Sequence, residues 1–141
     1  MPTIEGISFS RFREGQKVIY RNTLAEVQTV RKNGVEVILE GDTHPRFIPE
    51  SSYRSFKLYW SKVGDEILLD LPIDLADGSI SIRVRPQTPA EGQRWEYRYA
   101  LLHAVHSDPI VSGRDPEGRV FGSQEEAKEQ ALKTINRIFR L

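Results

Sequence analysis

The sequence predicts a mainly β protein with one C-terminal helix: a small barrel of short strands over residues 1–60, then an α+β domain over residues 61–141, an antiparallel sheet covered by that helix. Three observations predict it. Short alternating apolar and polar runs recur between turn residues from Lys17 to Ile48, the pattern of half-buried strands joined by tight turns. Longer alternating runs follow from Ile67 to Leu102. Only the stretch Gly122 to Leu141 carries helical periodicity, with Ala127, Ala131, Ile135 and Ile138 on one stripe and Leu132 and Phe139 at its edge.

The first strands are read from Val18 and Tyr20, which alternate with Lys17, Ile19 and Arg21 before Asn22 and Thr23 interrupt the run. Ala25, Val27 and Thr29 alternate with Glu26 and Gln28. Lys32-Asn33-Gly34 then predicts a tight hairpin turn, Asn-Gly being the strongest short signal for one. Val35, Val37 and Leu39 form the return strand, Gly41-Asp42-Thr43 ends it, and Phe47-Ile48 begins another. The residues before Glu14 read as an N-terminal arm. So many short strands in so few residues predict a barrel closed on itself.

The order of a Gly-x-x-Val-x-Tyr strand (Gly15, Val18, Tyr20), an Ala-x-Val strand (Ala25, Val27), a glycine turn (Gly34), a Val-x-Val strand (Val35, Val37) and a final short strand (Phe47, Ile48) resembles the SH3-like barrels of KOW, Tudor and CarD-type modules. The resemblance covers about a third of the chain. It implies a binding unit of a larger machine, commonly one that touches nucleic acid or RNA polymerase.

Ser61 to Gly64 is the expected boundary or hinge. Beyond it Ile67, Leu69 and Leu71 alternate up to Pro72, and Asp77-Gly78 predicts a turn. Ile80, Ile82 and Val84 alternate with Ser79, Ser81, Arg83 and Arg85, and a loop is expected from Pro86 to Gly92. Trp95, Tyr97, Tyr99 and Leu101 share one face of a long strand, with Glu96, Arg98, Ala100 and Leu102 on the other. Short strands are expected around Ile110-Val111 and Val120-Phe121, separated by Asp115-Pro116-Glu117-Gly118, where Pro suits the second turn position and Gly the fourth. The helix opens with a capping box, Ser123 and Glu126. Its acids stand in the first turns (Glu125, Glu126, Glu129) and its cations in the last (Lys133, Arg137, Arg140), matching the helix dipole.

Composition narrows the function. The 141 residues are 38% hydrophobic and 28% charged, in the range of globular proteins. There is no apolar run of membrane-spanning length and no signal-peptide order at the N-terminus, so a cytoplasmic location and no membrane contact are expected. Without cysteine there is no disulfide framework, thiolate nucleophile or Cys-based zinc site. Basic and acidic residues balance at 20 each, leaving no global field for a polyanion.

No chemistry is spelled out by motif. The chain has no Gly-x-Ser-x-Gly elbow and no glycine-rich phosphate cradle, which points away from an enzyme and from a nucleotide cofactor. No cofactor is expected. His103 and His106 fall on opposite faces of a strand, His44 lies apart, and the carboxylates Asp70, Asp74 and Asp77 lack a calcium-loop pattern, so no metal site is expected. Two surfaces are candidate binding sites. Arg83, Arg85 and Arg98 share the face of the sheet opposite the helix, where rigid guanidinium forks suit phosphates or carboxylates, or else form a solvated face with Glu96. Arg54, Lys57 and Tyr59 belong to the run Tyr53 to Trp60, whose interleaved rings and cations suit unpaired bases, or else a packed last strand. The resulting expectation is a non-enzymatic binding or adaptor protein acting on nucleic acid or a nucleic-acid-bound protein complex. The alternative is a protein–protein regulator or inhibitor.

Overall fold

The computed structural model describes residues 3–5, 7–8, 11–72, 78–87, 94–103, 105 and 109–139. It divides into two compact units, Met1–Tyr59 and Trp60–Leu141. The chain is mainly β, and among the described residues one α-helix lies toward its C-terminal end.

The first unit opens with a hairpin of two two-residue strands, β1 (Thr3–Ile4) and β2 (Ile7–Ser8). Ile4, Ile7 and Phe12 of the expected arm therefore belong to the core. Ile4 and Ile7 are buried, and the Glu5 carboxylate accepts the Leu58 N–H at 2.9 Å, tying the hairpin to a strand 53 residues away. The remaining strands are β3 (Lys17–Tyr20), β4 (Thr23–Arg31), β5 (Gly34–Leu39), β6 (Arg46–Pro49) and β7 (Phe56–Leu58), with a 3-10 helix over Glu50–Ser55 before the last. They form one antiparallel sheet in the order β6-β5-β4-β3-β7. It curls into a half-barrel. Among the described residues no β6–β7 ladder closes it, because the 3-10 helix carries the chain across that gap.

Alternation decides which side is buried. Val18, Tyr20, Ala25, Val27, Val35, Val37, Ile48, Phe56 and Leu58 all lie inside, while Lys17, Glu26 and Lys57 face out. Phe12 completes this core, its ring edge-on to Tyr53 at 5.0 Å and tilted against Phe56 at 5.5 Å.

Two turns differ from expectation. Tyr20 pairs with Thr23, so Arg21 and Asn22 are the loop, both at positive φ (47° and 66°), the backbone of a mirror-image hairpin turn that matches strand twist. Arg31 pairs with Gly34, so the second loop is Lys32-Asn33 and the glycine stands in β5. A Cβ there would strike the Ile48 carbonyl and the Phe47 ring. The glycine serves close packing of β5 on β6, not turn geometry.

The second unit is a five-stranded antiparallel sheet in the order β12-β11-β10-β9-β8, built from β8 (Ser61–Val63), β9 (Glu66–Pro72), β10 (Ser79–Gln87), β11 (Arg94–Leu102) and β12 (Pro109–Arg114). The expected hinge is thus an edge strand, paired with β9 through Ser61↔Leu68 and Val63↔Glu66. β10 runs two residues past Arg85. Pro86 is tolerated there because β9 stops pairing at Ile67↔Val84, leaving no ladder bond for its missing N–H to make. After β12 only Phe121 returns to the sheet, exchanging backbone hydrogen bonds with Trp95 at 2.8 and 2.9 Å, so Val120-Phe121 is a single bridge and not a strand.

The helix α1 (Gln124–Phe139) packs on β10 and β11. The Glu126 N–H donates to Ser123 Oγ at 3.2 Å, the N-cap half of the capping box. Ala127, Ala131 and Ile135 are fully buried, as are Ile80, Ile82 and Val84 of β10, with Tyr97 and Leu101 of β11 nearly so. Ile138 departs from the expected stripe and is 43% exposed, whereas Thr134 is completely buried.

Candidate binding face of the second sheet

Ladder register places the candidate arginines. Arg83 pairs with Arg98 and Arg85 with Glu96 across β10 and β11, while their neighbours Ile82, Val84, Tyr97 and Tyr99 alternate to the helix side. Arg98 also pairs with Arg114 of β12. Arg83, Arg98 and Arg114 therefore form one row across three adjacent strands. Arg114 was not visible as a member from the sequence, since the partner and register of β12 are tertiary facts. The nearest signal was only its place near the end of a short apolar run.

Cross-strand neighbours with like charge repel. Carboxylates offset part of this. Glu96 is nearly buried and accepts from Arg85 Nε and from Gln87 Nε2 at 2.9 Å, with Arg98 Nε farther away at 3.8 Å. Its burial alone would raise its pKa, but the Arg85 and Gln87 hydrogen bonds and the charges of Arg85 and Arg98 hold it below the usual carboxylate range. Arg83 meets Glu66 at 3.4 Å across the β9 edge. Arg114 makes no ion pair with another described residue, and the side chains of Arg83 and Arg98 remain about half exposed (51% and 52%). The row is thus compensated at Arg83, weakly at Arg98, and not at Arg114.

The second candidate surface lies in the first unit. Arg54 is exposed on the 3-10 helix, Lys57 is exposed on β7, and Tyr59 is half-buried just beyond β7. The other rings of that run are occupied. Phe56 is buried between Tyr20 and Phe12, and Tyr53 packs on both Phe12 and Phe56. Trp60 opens the second unit, with Lys128 Nζ over its ring at 5.4 Å. The two candidate surfaces therefore belong to different units.

A buried polar cluster escaped sequence reading. Tyr97 donates to Asp115 Oδ1 at 2.8 Å and lies 2.7 Å from Thr134 Oγ1. Asp115 also accepts from Arg119 Nε and an Arg119 terminal nitrogen, both at 3.1 Å, and from the backbone N–H groups of Glu117 and Arg119 at 3.1 and 3.0 Å. The same turn is closed by Gly118 N–H to the Asp115 carbonyl at 2.9 Å, with Gly118 at φ 68°, as expected of Asp-Pro-Glu-Gly. Burial would raise the Asp115 pKa, but Arg119, Tyr97 and the two N–H groups outweigh it and hold it at about 2. Burial, reinforced by Asp115, pushes the Tyr97 phenol well above its usual range. Every carboxylate lone pair has a donor, so the cluster is a lock between β11, the turn and α1.

Among the described residues no group of three His, Cys, Asp or Glu side chains could hold a metal ion. Asp70 is exposed on β9, and His103 Nδ1 accepts the Val105 N–H at 3.1 Å. Asp74, Asp77, Arg140 and His106 lie outside the described residues. No described helix is long and apolar enough to cross a membrane.

In comparison with known proteins, the chain matches no family model, no curated protein and no solved structure.

Proposed function

We propose that this chain is a non-enzymatic binding or adaptor protein acting on nucleic acid or a nucleic-acid-bound protein complex, and that it makes the contact through the open face of its second sheet. The observation that carries the reading is the row Arg83, Arg98, Arg114, set side by side by strand register. A row of adjacent guanidinium groups is costly unless an anion shares it, and successive backbone phosphates are such an anion. The curled first sheet, with its 3-10 helix before the last strand, supports an SH3-like module as the other half of the adaptor.

A gel-shift titration with single- and double-stranded DNA and RNA at two salt concentrations tests the reading. Replacing Arg83, Arg98 and Arg114 with Ala should weaken binding alike for all sequences. It should also flatten log K against log salt by about 2–3, since each phosphate contact contributes roughly 0.7–0.9 to the slope. A folded triple variant that binds as tightly as the parent removes the face. If Tyr59 is the contact instead, Tyr59→Ala costs about 1–3 kcal/mol on single strands and leaves the slope unchanged.

The second reading, a protein–protein regulator, is favoured by Glu66 beside Arg83 and, more weakly, Glu96 beside Arg98, which already neutralise part of the row. Partner capture that survives nuclease treatment selects it.

A further inference from the structure

The two five-stranded sheets end in four edges, and three of them are guarded. β7 gives its Leu58 N–H to Glu5. β6 is four residues long, with Arg46 at one end and Pro49 at the other. β8 is three residues long with Lys62 at its centre. Such short, charged, proline-ended or covered edges resist pairing with another chain. β12 differs. It has six residues, Pro109-Ile110-Val111-Ser112-Gly113-Arg114, with Ile110 and Val111 48% and 45% exposed. Among the described residues nothing pairs with its outer side.

We propose that β12 is the docking edge for an acidic, extended segment of a partner protein, which adds to the sheet as a sixth strand. The backbone of the edge requires a strand as occupant, because only another extended chain satisfies a row of alternating N–H and C=O groups. The arginine row sets its charge. A strand laid beside β12 brings alternate side chains onto the face where Arg98 and Arg114 stand, and carboxylates there relieve the uncompensated end of the row. Its other side chains cover Val111, which the Leu101 pairing sets on the helix side and which is left half-exposed there. A second copy of β12 is a poor occupant, since its only charged side chain is another arginine. This docking edge shares Arg98 and Arg114 with the row proposed above for phosphates, so the two partners compete for them; peptide titrated without nucleic acid lets either reading fail without the other.

The test uses a fluorescent, end-capped octapeptide of alternating Glu and Val, a Lys-Val counterpart, and a Glu-Val version N-methylated on alternate amides. Anisotropy titration of the full chain should show binding of the Glu-Val peptide alone, with slowed amide exchange confined to β12. Arg114→Glu, at an exposed site, should leave the thermal transition in place and weaken that binding roughly tenfold or more, the scale of one charged hydrogen bond. Three results each overturn the proposal: equal binding of the N-methylated peptide, equal binding of the Lys-Val peptide, or concentration-dependent dimers that protect β12 while the Glu-Val peptide does not bind.

Discussion

Asp115 shows how much one residue organises in this chain. A surface-type residue in a turn sequence, it is 5% exposed, fixes the turn and holds Tyr97 of β11, whose hydroxyl also meets Thr134 of α1. Its folded pKa of about 2 lies below the ordinary 3.8, so it stabilises the fold in its ionised form. That contribution is complete above about pH 4 and is lost as pH falls through about 2, because the unfolded chain binds the proton first. With Arg119 43% exposed and the pair partly screened, the contribution is about 1–2 kcal/mol. Asp115→Asn should flatten the acid limb of a stability-against-pH curve measured by denaturant unfolding; an unchanged limb would place the acid sensitivity elsewhere. Tyr97→Phe leaves Asp115 and Thr134 short of a partner in a buried site and should cost about 1–3 kcal/mol without changing the fold. Gly113 is a second such residue. A Cβ there would lie 2.5 Å from Tyr99 Oη and 2.7 Å from Cζ, so Gly113→Ala should displace that ring, read as a change in its aromatic NMR shifts.

At the scale of elements, α1 illustrates the division between pattern and packing. Its buried stripe comes from Ala127, Ala131 and Ile135, and small residues let the helix lie close on β10 and β11. Ile135→Asp puts an unpaired charge in that seam and should cost several kcal/mol, whereas Lys133→Asp on the exposed side should cost little. Thermal unfolding separates the two, and equal small effects would mean that the seam runs elsewhere. Ile138 followed the periodicity but remains half-exposed, and Thr134 broke it but is buried. Periodicity reports direction around the helix axis; it does not report whether a partner surface exists at that height.

At the scale of the whole chain, balanced charge gives no long-range attraction for a polyanion. Any anionic partner is therefore recognised by local placement of arginines. The two units also bear on how the chain can be divided. A fragment starting at Trp60 keeps β8 and the Lys128 contact to the Trp60 ring, whereas one starting at Asp65 loses both. Removing three paired residues and a partly buried cation–π contact should lower the stability of the shorter fragment by about 1–3 kcal/mol in urea unfolding. Equal midpoints would show that β8 is a passive edge.

The β-rich first unit, the capped C-terminal helix, the Asp-Pro-Glu-Gly turn and the face shared by Arg83, Arg85 and Arg98 are all legible in the order of residues. All of these rest on local rules: the two-residue alternation of strands, the 3.6-residue turn of helices, and the backbone preferences of Gly, Pro, Asp and Ser. Tertiary structure decided what lies across a strand. Register brought Arg114 beside Arg98, and packing closed Tyr97 on both Asp115 and Thr134, contacts between residues far apart in the chain on which no local preference acts. It also put Ile4 and Ile7 of the expected arm into the core and Glu5 against Leu58, a residue 53 positions away. Short-range patterns determine which way a side chain points, while the neighbour it meets there follows from ladder pairing and buried polar satisfaction between segments far apart in the chain.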